Sequence, residues 1–266
     1  MNATQILHDA RAAVEDLAGR LGDLLRDLPA ADAAVSPRWS IRDAAAHLIC
    51  GTSLSAELAT GTPSPVGDVS PEGMARFNAQ RIADIVDTEP GVLAKSLAGA
   101  VGQFLAATDG RSGETPVTWH TGLTVDLSQL AGILVGEYVL HGFDIATAAG
   151  VPWPVAAEHA ALTLYGYGPV NAASVDPATS RGHTATYDID VGAAGRFAVR
   201  FVDGQVTFGP PGEHPADCEI TADPVAFLLV SAGRMSRWTA IALGLMRAAG
   251  RRPELAASFG NLFRFP

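Results

Sequence analysis

The chain has 266 residues, of which 48% are hydrophobic, and a formal net charge of −10 at pH 7. That composition supports a packed core and excludes a disordered chain or a collagen-like repeat. With no stretch that concentrates Lys or Arg, it also argues against nucleic acid as a partner.

Met1-Asn2-Ala3-Thr4 leads straight into a helical pattern carrying Asp9, Arg11, Glu15 and Asp16, unlike a secretory signal. No apolar run of roughly 18 residues is evident, so no membrane span is expected and the reading is cytoplasmic. Residues 5–28 place Ile6, Val14, Leu17, Leu21, Leu24, Leu25 and Leu28 at the spacings of an amphipathic helix that Pro29 ends. Ser40 followed by Asp43 has capping-box spacing and opens a second helix over 40–59, closed near Gly61 and Pro63. Ser70-Pro71 supplies an N-cap and a first-turn proline for a third helix to about 87, and a fourth follows Pro90 over 91–108. The segment from Gly110 to Thr124 is rich in turn residues. Asp126 with Gln129 then caps a strongly apolar helix over 127–149, stopped by Gly150 before Pro152. Long helices joined by short loops describe a bundle.

After Pro154 the pattern changes. Residues 155–168 still read as helix, but 184–191, 196–202 and 205–208 alternate as antiparallel strands, with a turn at Asp203-Gly204. A fourth strand is expected at 218–221, then helices over 223–232, 236–249 and 253–263. The expected architecture is two-domain: a helical bundle over 1–152 and a smaller α+β domain over 153–266.

The strongest chemical constellation lies in the bundle. Glu137 and His141 are four apart on one helix and project from the same face, so the pair can share a metal ion. His47, in the middle of the second helix, would complete a His₂Glu set, which leaves a position open for water or substrate. Such a pair also arises by chance, and a helical His is often a satisfied core or surface group. The apolar neighbours Ile133, Leu134, Val135, Tyr138 and Val139 around Glu137, and Ala44, Ala45, Ala46, Leu48 and Ile49 around His47, favour a shared partner.

Trp39-Ser40-Ile41-Arg42-Asp43 leading to Ala46-His47-Leu48, with the run from Gly136 to Ala146 (GEYVLHGFDIA), resembles the mycothiol-dependent maleylpyruvate isomerase family, one of the DinB-like metal-binding bundles. The resemblance extends to a sterol-carrier-protein-like C-terminal part, in 222–227 and 233–240. It implies a divalent ion, zinc above all, on His47, Glu137 and His141. It further implies mycothiol or another low-molecular-weight thiol as cofactor, and an enzyme that is a cis–trans isomerase or a thiol S-transferase. The substrate implied is small, electrophilic and carboxylate-bearing. Two rival classes stay open: a carrier of a hydrophobic ligand, and a metal-stabilised regulatory protein without turnover. A monomer or a homodimer fits the sequence equally.

Other residues carry two readings each. Asn78 and Arg81, on the third helix, can face the site to bind cofactor or substrate, or belong to a solvated helix face. Arg234 or Arg237 can clamp a substrate carboxylate, or solvate helix ends. Asp144, three after His141, and Asp43, four before His47, can orient an imidazole, and Asp43 is better read as a helix cap. Cys50 reads as a small buried group rather than a fourth ligand. His120, in a loop beside Trp119, reads as a surface residue.

Overall fold

The computed structural model describes residues 2–263, and the chain divides between Val155 and Ala156 into two units. The first unit opens with α1 (Ala3–Asp27), whose N-terminus is capped by Asn2 and whose stripe of Leu7, Ala10, Val14, Leu17, Leu21 and Leu25 is buried. Next come α2 (Ile41–Ala59), α3 (Pro71–Ala83), α4 (Pro90–Thr108) and α5 (Leu127–Ala149). The α2 cap is reciprocal: Ser40 Oγ accepts from the Asp43 amide while Asp43 Oδ2 accepts from the Ser40 amide at 2.8 Å. Asp43 is therefore a cap, which satisfies amides that otherwise have no intrahelical partner.

Helices α1, α2, α4 and α5 form the bundle: α4 and α5 each pack against both α1 and α2. α3 lies against α2 and buries only Gly73. It stops at Ala83, short of the expected 87, with Asp84 as its C-cap. The turn-rich stretch before α5 contains an unexpected short hairpin, β1 (Pro116–Thr118) against β2 (Thr124–Asp126). β2 runs directly into α5, where Asp126 and Gln129 form a second reciprocal cap.

α5 requires a correction. By length and composition it is apolar enough to cross a membrane, contrary to the expectation that no segment is. Its central residues are instead packed within the bundle: Leu130, Ala131, Leu134, Val135, Tyr138 and Val139 are each no more than 1% exposed. A mostly buried core helix passes the same test of length and composition as a membrane span.

The second unit begins with α6 (Ala157–Ala173) and α7 (Pro177–Ser180), followed by a five-stranded sheet ordered β5-β4-β3-β6-β7. The strands are β3 (Ala185–Asp190), β4 (Arg196–Val202), β5 (Gln205–Gly209), β6 (Cys218–Ala222) and β7 (Met246–Ala249), with α8 (Pro224–Ser231) and α9 (Arg237–Ala242) between the last two. β6 pairs in parallel with β3, with Tyr187 opposite Cys218. Tyr187, Ile189, Val199, Phe201 and Ile220 alternate onto the buried face and form its core with Phe227, Leu255 and Leu262. Two expected helices are replaced. Residues 246–249 form strand β7, because β6 offers an open edge whose backbone groups pair with them. Residues 253–263 break into a 3₁₀ turn, the single turn α10 (Ala256–Phe259) and a second 3₁₀ turn.

Candidate metal centre

The three residues of the His₂Glu set come from two neighbouring helices whose register is held by a buried hydrogen bond. Thr52 on α2 and Tyr138 on α5 are both 0% exposed, and their oxygens lie 2.8 Å apart. Thr52 Oγ1 donates to the Leu48 carbonyl at 2.7 Å, so the Tyr138 hydroxyl is the donor across the helices. One residue before Tyr138 stands Glu137, and five residues before Thr52 the α2 backbone presents His47.

Between these helices Glu137 Oε2 lies 3.1 Å from His47 Nε2 and 3.5 Å from His141 Nε2. One ligand atom from each residue falls within 4.8 Å of the other two. Asp144 Oδ2 lies 3.5 Å from His141 Nδ1, behind the ring. The structure thus brings Asp144 to the imidazole on the side away from Glu137, where a carboxylate sets tautomer and orientation.

The electrostatics follow from burial and pairing. Burial alone would push the Glu137 carboxyl up, but hydrogen bonds from His141 and His47 hold it well below the usual carboxylate range. Burial lowers His47, and its hydrogen bond to Glu137 offsets only part of that. Burial also acts to lower His141, yet its bonds to Asp144 and Glu137 outweigh it and raise the ring to about 9. Two imidazole nitrogens and one carboxylate oxygen converging in a half-buried site are a donor set suited to a borderline divalent ion such as zinc.

Trp39 completes the enclosure. Its ring centroid lies 4.8 Å from that of His47 and 5.6 Å from that of His141, and the two imidazoles meet edge-on at 4.9 Å. The loop before α2 holds the indole there: the Trp39 carbonyl accepts from the amides of Val35 and Ser36, and its own amide donates to Ser36 Oγ at 3.0 Å. Trp39 was legible only as part of a motif. Its place against both histidines depends on how that loop folds back onto the bundle.

Arg81 is half-buried, and its carbonyl accepts from Cys50 Sγ at 3.3 Å, so α3 rests on the α2 face one turn beyond His47. Burial raises the Cys50 thiol, with the Arg81 guanidinium opposing. Cys50 takes no part in the ligand cluster. Asn78, one turn before Arg81, is half-buried on the same helix. Arg234 and Arg237 lie in the second unit, where Arg234 Nη1 donates to the Ala232 carbonyl and Arg237 Nη1 to the Ala257 carbonyl, each at 2.6 Å. The Arg237 guanidinium also stands 5.3 Å from the Trp238 ring centroid.

His120 departs from expectation. It is 8% exposed, not a surface residue, because the β1–β2 hairpin that carries it packs on α2 and α5. Ser64 Oγ lies 2.8 Å from its Nδ1.

The mycothiol maleylpyruvate isomerase N-terminal domain, as a family model, matches residues 8–146, more than half of the chain. The chain belongs to the mycothiol-dependent maleylpyruvate isomerase family. Residues 170–264 match the SCP-2 sterol transfer family, the second part of the isomerase-family architecture expected from the sequence. The crystal structure of the mycothiol-dependent maleylpyruvate isomerase is 16% identical, with a TM-score of 0.54, and the match covers 94% of this chain and 93% of that one. A mutant of that enzyme, also solved as a crystal structure, gives a TM-score of 0.54 at 15% identity with the same coverage. At such identity the likeness is one of fold. No curated protein sequence matches the chain.

Proposed function

We propose that this isomerase-family member is a metal- and thiol-dependent enzyme. It binds one divalent ion, zinc by preference, through His47, Glu137 and His141, and uses mycothiol or another low-molecular-weight thiol on a small electrophilic substrate that bears a carboxylate. The observation that carries this reading is the convergence of one donor atom from each of the three side chains within 4.8 Å. A bound divalent ion would supply Lewis acidity that makes a thiolate available near neutral pH.

The chain's own groups prepare that chemistry. Glu137 is an anion at neutral pH, and burial keeps His47 unprotonated with its lone pair available. Asp144 orients His141, and the Trp39 ring lies against both imidazoles. In the isomerase reading the thiolate adds to a conjugated double bond, the resulting single bond rotates, and elimination returns the thiol with the trans product. A transferase would pass the thiol to the electrophile instead. Asn78 and Arg81 are assigned to thiol or substrate polar groups, and Arg234 or Arg237 to the substrate carboxylate.

The test is metal analysis of the purified protein together with turnover of small α,β-unsaturated acids in the presence of mycothiol. His141→Ala should abolish stoichiometric metal. A His141→Ala protein that retains its ion refutes the ligand set, and full turnover in thiol-free buffer refutes the mechanism. Arg234→Ala or Arg237→Ala should lower kcat/KM by well over tenfold with metal content unchanged, the usual loss for a charge-assisted contact.

A further inference from the structure

The two histidines of the ligand set are held in different ways. His141 has Asp144 Oδ2 at 3.5 Å from its Nδ1. His47 has no such carboxylate: among the described residues its one hydrogen bond is the contact of Nε2 with Glu137 Oε2 at 3.1 Å. Asp43, four residues before it on α2, is engaged in the helix cap, where its Oδ2 accepts from the Ser40 amide at 2.8 Å and from Ser40 Oγ at 2.7 Å. A histidine that ligates a metal ordinarily gives its other ring nitrogen to an acceptor, which fixes the orientation of the ring. The ring of His47 has to be fixed by other means.

What lies against it is Trp39. The indole centroid is 4.8 Å from that of His47, with the planes at 41°, and 5.6 Å from that of His141, so His47 is the nearer of the two. Trp39 immediately precedes Ser40, and the reciprocal cap of Ser40 with Asp43 sets the angle at which the chain enters α2. The loop before it closes on itself: the Ile41 amide donates to the Ala33 carbonyl and the Arg42 amide to the Ala31 carbonyl, each at 2.9 Å. Ser36 Oγ accepts from the amides of Arg38 at 3.2 Å and Trp39 at 3.0 Å. Residues 36–38 are exposed, whereas Trp39 is half-buried. A backbone tied on both sides of Trp39 holds the indole in place, and a fixed flat ring restricts the imidazole packed on it.

We propose that Trp39 is the positioning residue of His47 and a determinant of metal affinity, doing by packing what Asp144 does for His141 by its carboxylate. The proposal rests on the metal reading above. The indole keeps the His47 imidazole in the orientation in which Nε2 faces Glu137, so that an arriving ion does not have to order the ring. Immobilising a side chain on binding costs free energy, and a ring ordered beforehand removes that cost from metal uptake. Ser36 acts one step further out, by holding the backbone of Trp39.

Two measurements on the full chain test this. In competitive zinc titration against a chromophoric chelator, Trp39→Leu should weaken zinc binding about tenfold, the lower end of the loss when a partner of a metal ligand is removed. Trp39→Phe, which keeps a flat ring on the same loop, should recover most of that affinity. Ser36→Ala leaves every ring in place but frees the Trp39 amide, and should weaken zinc several-fold. The second measurement reads the geometry at the ion, which a general loss of stability does not move. At saturating cobalt the visible absorption bands of Trp39→Leu should differ from those of the wild type, and those of Trp39→Phe should match them. If Trp39→Leu fails to fold, Ser36→Ala carries the test. Zinc affinity or cobalt bands indifferent to Trp39→Leu, a loss equal in Trp39→Leu and Trp39→Phe, or an unchanged affinity in Ser36→Ala where that variant carries the test, overturns the role of Trp39 and leaves the ligand set standing. A wild-type chain that takes up no zinc overturns the metal reading itself.

Discussion

Removing the hydroxyl of Tyr138 tests how α2 and α5 are held in register across the metal centre. The bond from Tyr138 to Thr52 is a fully buried polar link between the two helices that carry the ligands, and both side chains are 0% exposed. In Tyr138→Phe, Thr52 keeps its bond to the Leu48 carbonyl, so the loss is one net hydrogen bond, about 1 kcal/mol. In Thr52→Val the phenol hydroxyl is stranded where water does not reach, and the expected cost is about 2 kcal/mol, within the range for a buried unsatisfied donor. The double variant removes both partners and leaves no stranded group on Tyr138, so its destabilisation should fall below the sum of the singles by roughly 1 kcal/mol or more. The assay is urea unfolding of the metal-free chain, followed by circular dichroism for all four proteins, with zinc affinity measured alongside. Thr52→Val should bind zinc more weakly than Tyr138→Phe, because a hydroxyl seeking a partner pulls α5 out of register with His47. Single and double variants that add within about 0.3 kcal/mol would refute the idea that this bond couples the helices.

Further outcomes follow from the same geometry. His141 is raised to about 9 in the metal-free chain, where burial is outweighed by Asp144 and Glu137. Its protonated form therefore stabilises the fold fully below its ordinary value near 6.5, and that contribution is lost as pH rises through 9. Urea midpoints of the chelator-treated protein should fall from pH 7 to pH 9, and Asp144→Asn should flatten the fall; a flat wild-type profile would contradict the pairing. Gly142→Ala places a Cβ 2.3 Å from the Trp153 ring and should cost roughly 1–3 kcal/mol by overpacking, with a lowered Tm as the readout. Unchanged Tm there would mean that Trp153 moves freely. Cys50→Ser should leave metal content and most activity intact, since the thiol bonds to the Arg81 carbonyl rather than to the ligand cluster; loss of the metal would place it in the site.

What the amino-acid order determines here is local. Glu137 and His141 share a face because four residues make about one helical turn, and Ser40 with Asp43, or Asp126 with Gln129, mark helix starts because capping acts within one turn. The alternation in β3 and β4 likewise needs no partner to be read. What depends on distant contacts was decided only by tertiary structure. His47 reaches Glu137 across 90 residues through the packing of α2 on α5. Residues 246–249 read as helix by propensity and become a strand because β6 offers an edge, and pairing that edge outweighs a preference of a few tenths of a kcal/mol per residue. His120 shows the same limit most sharply. A histidine beside a tryptophan in a turn-rich stretch has the sequence of a surface loop, and it is the packing of its hairpin on α2 and α5 that buries it.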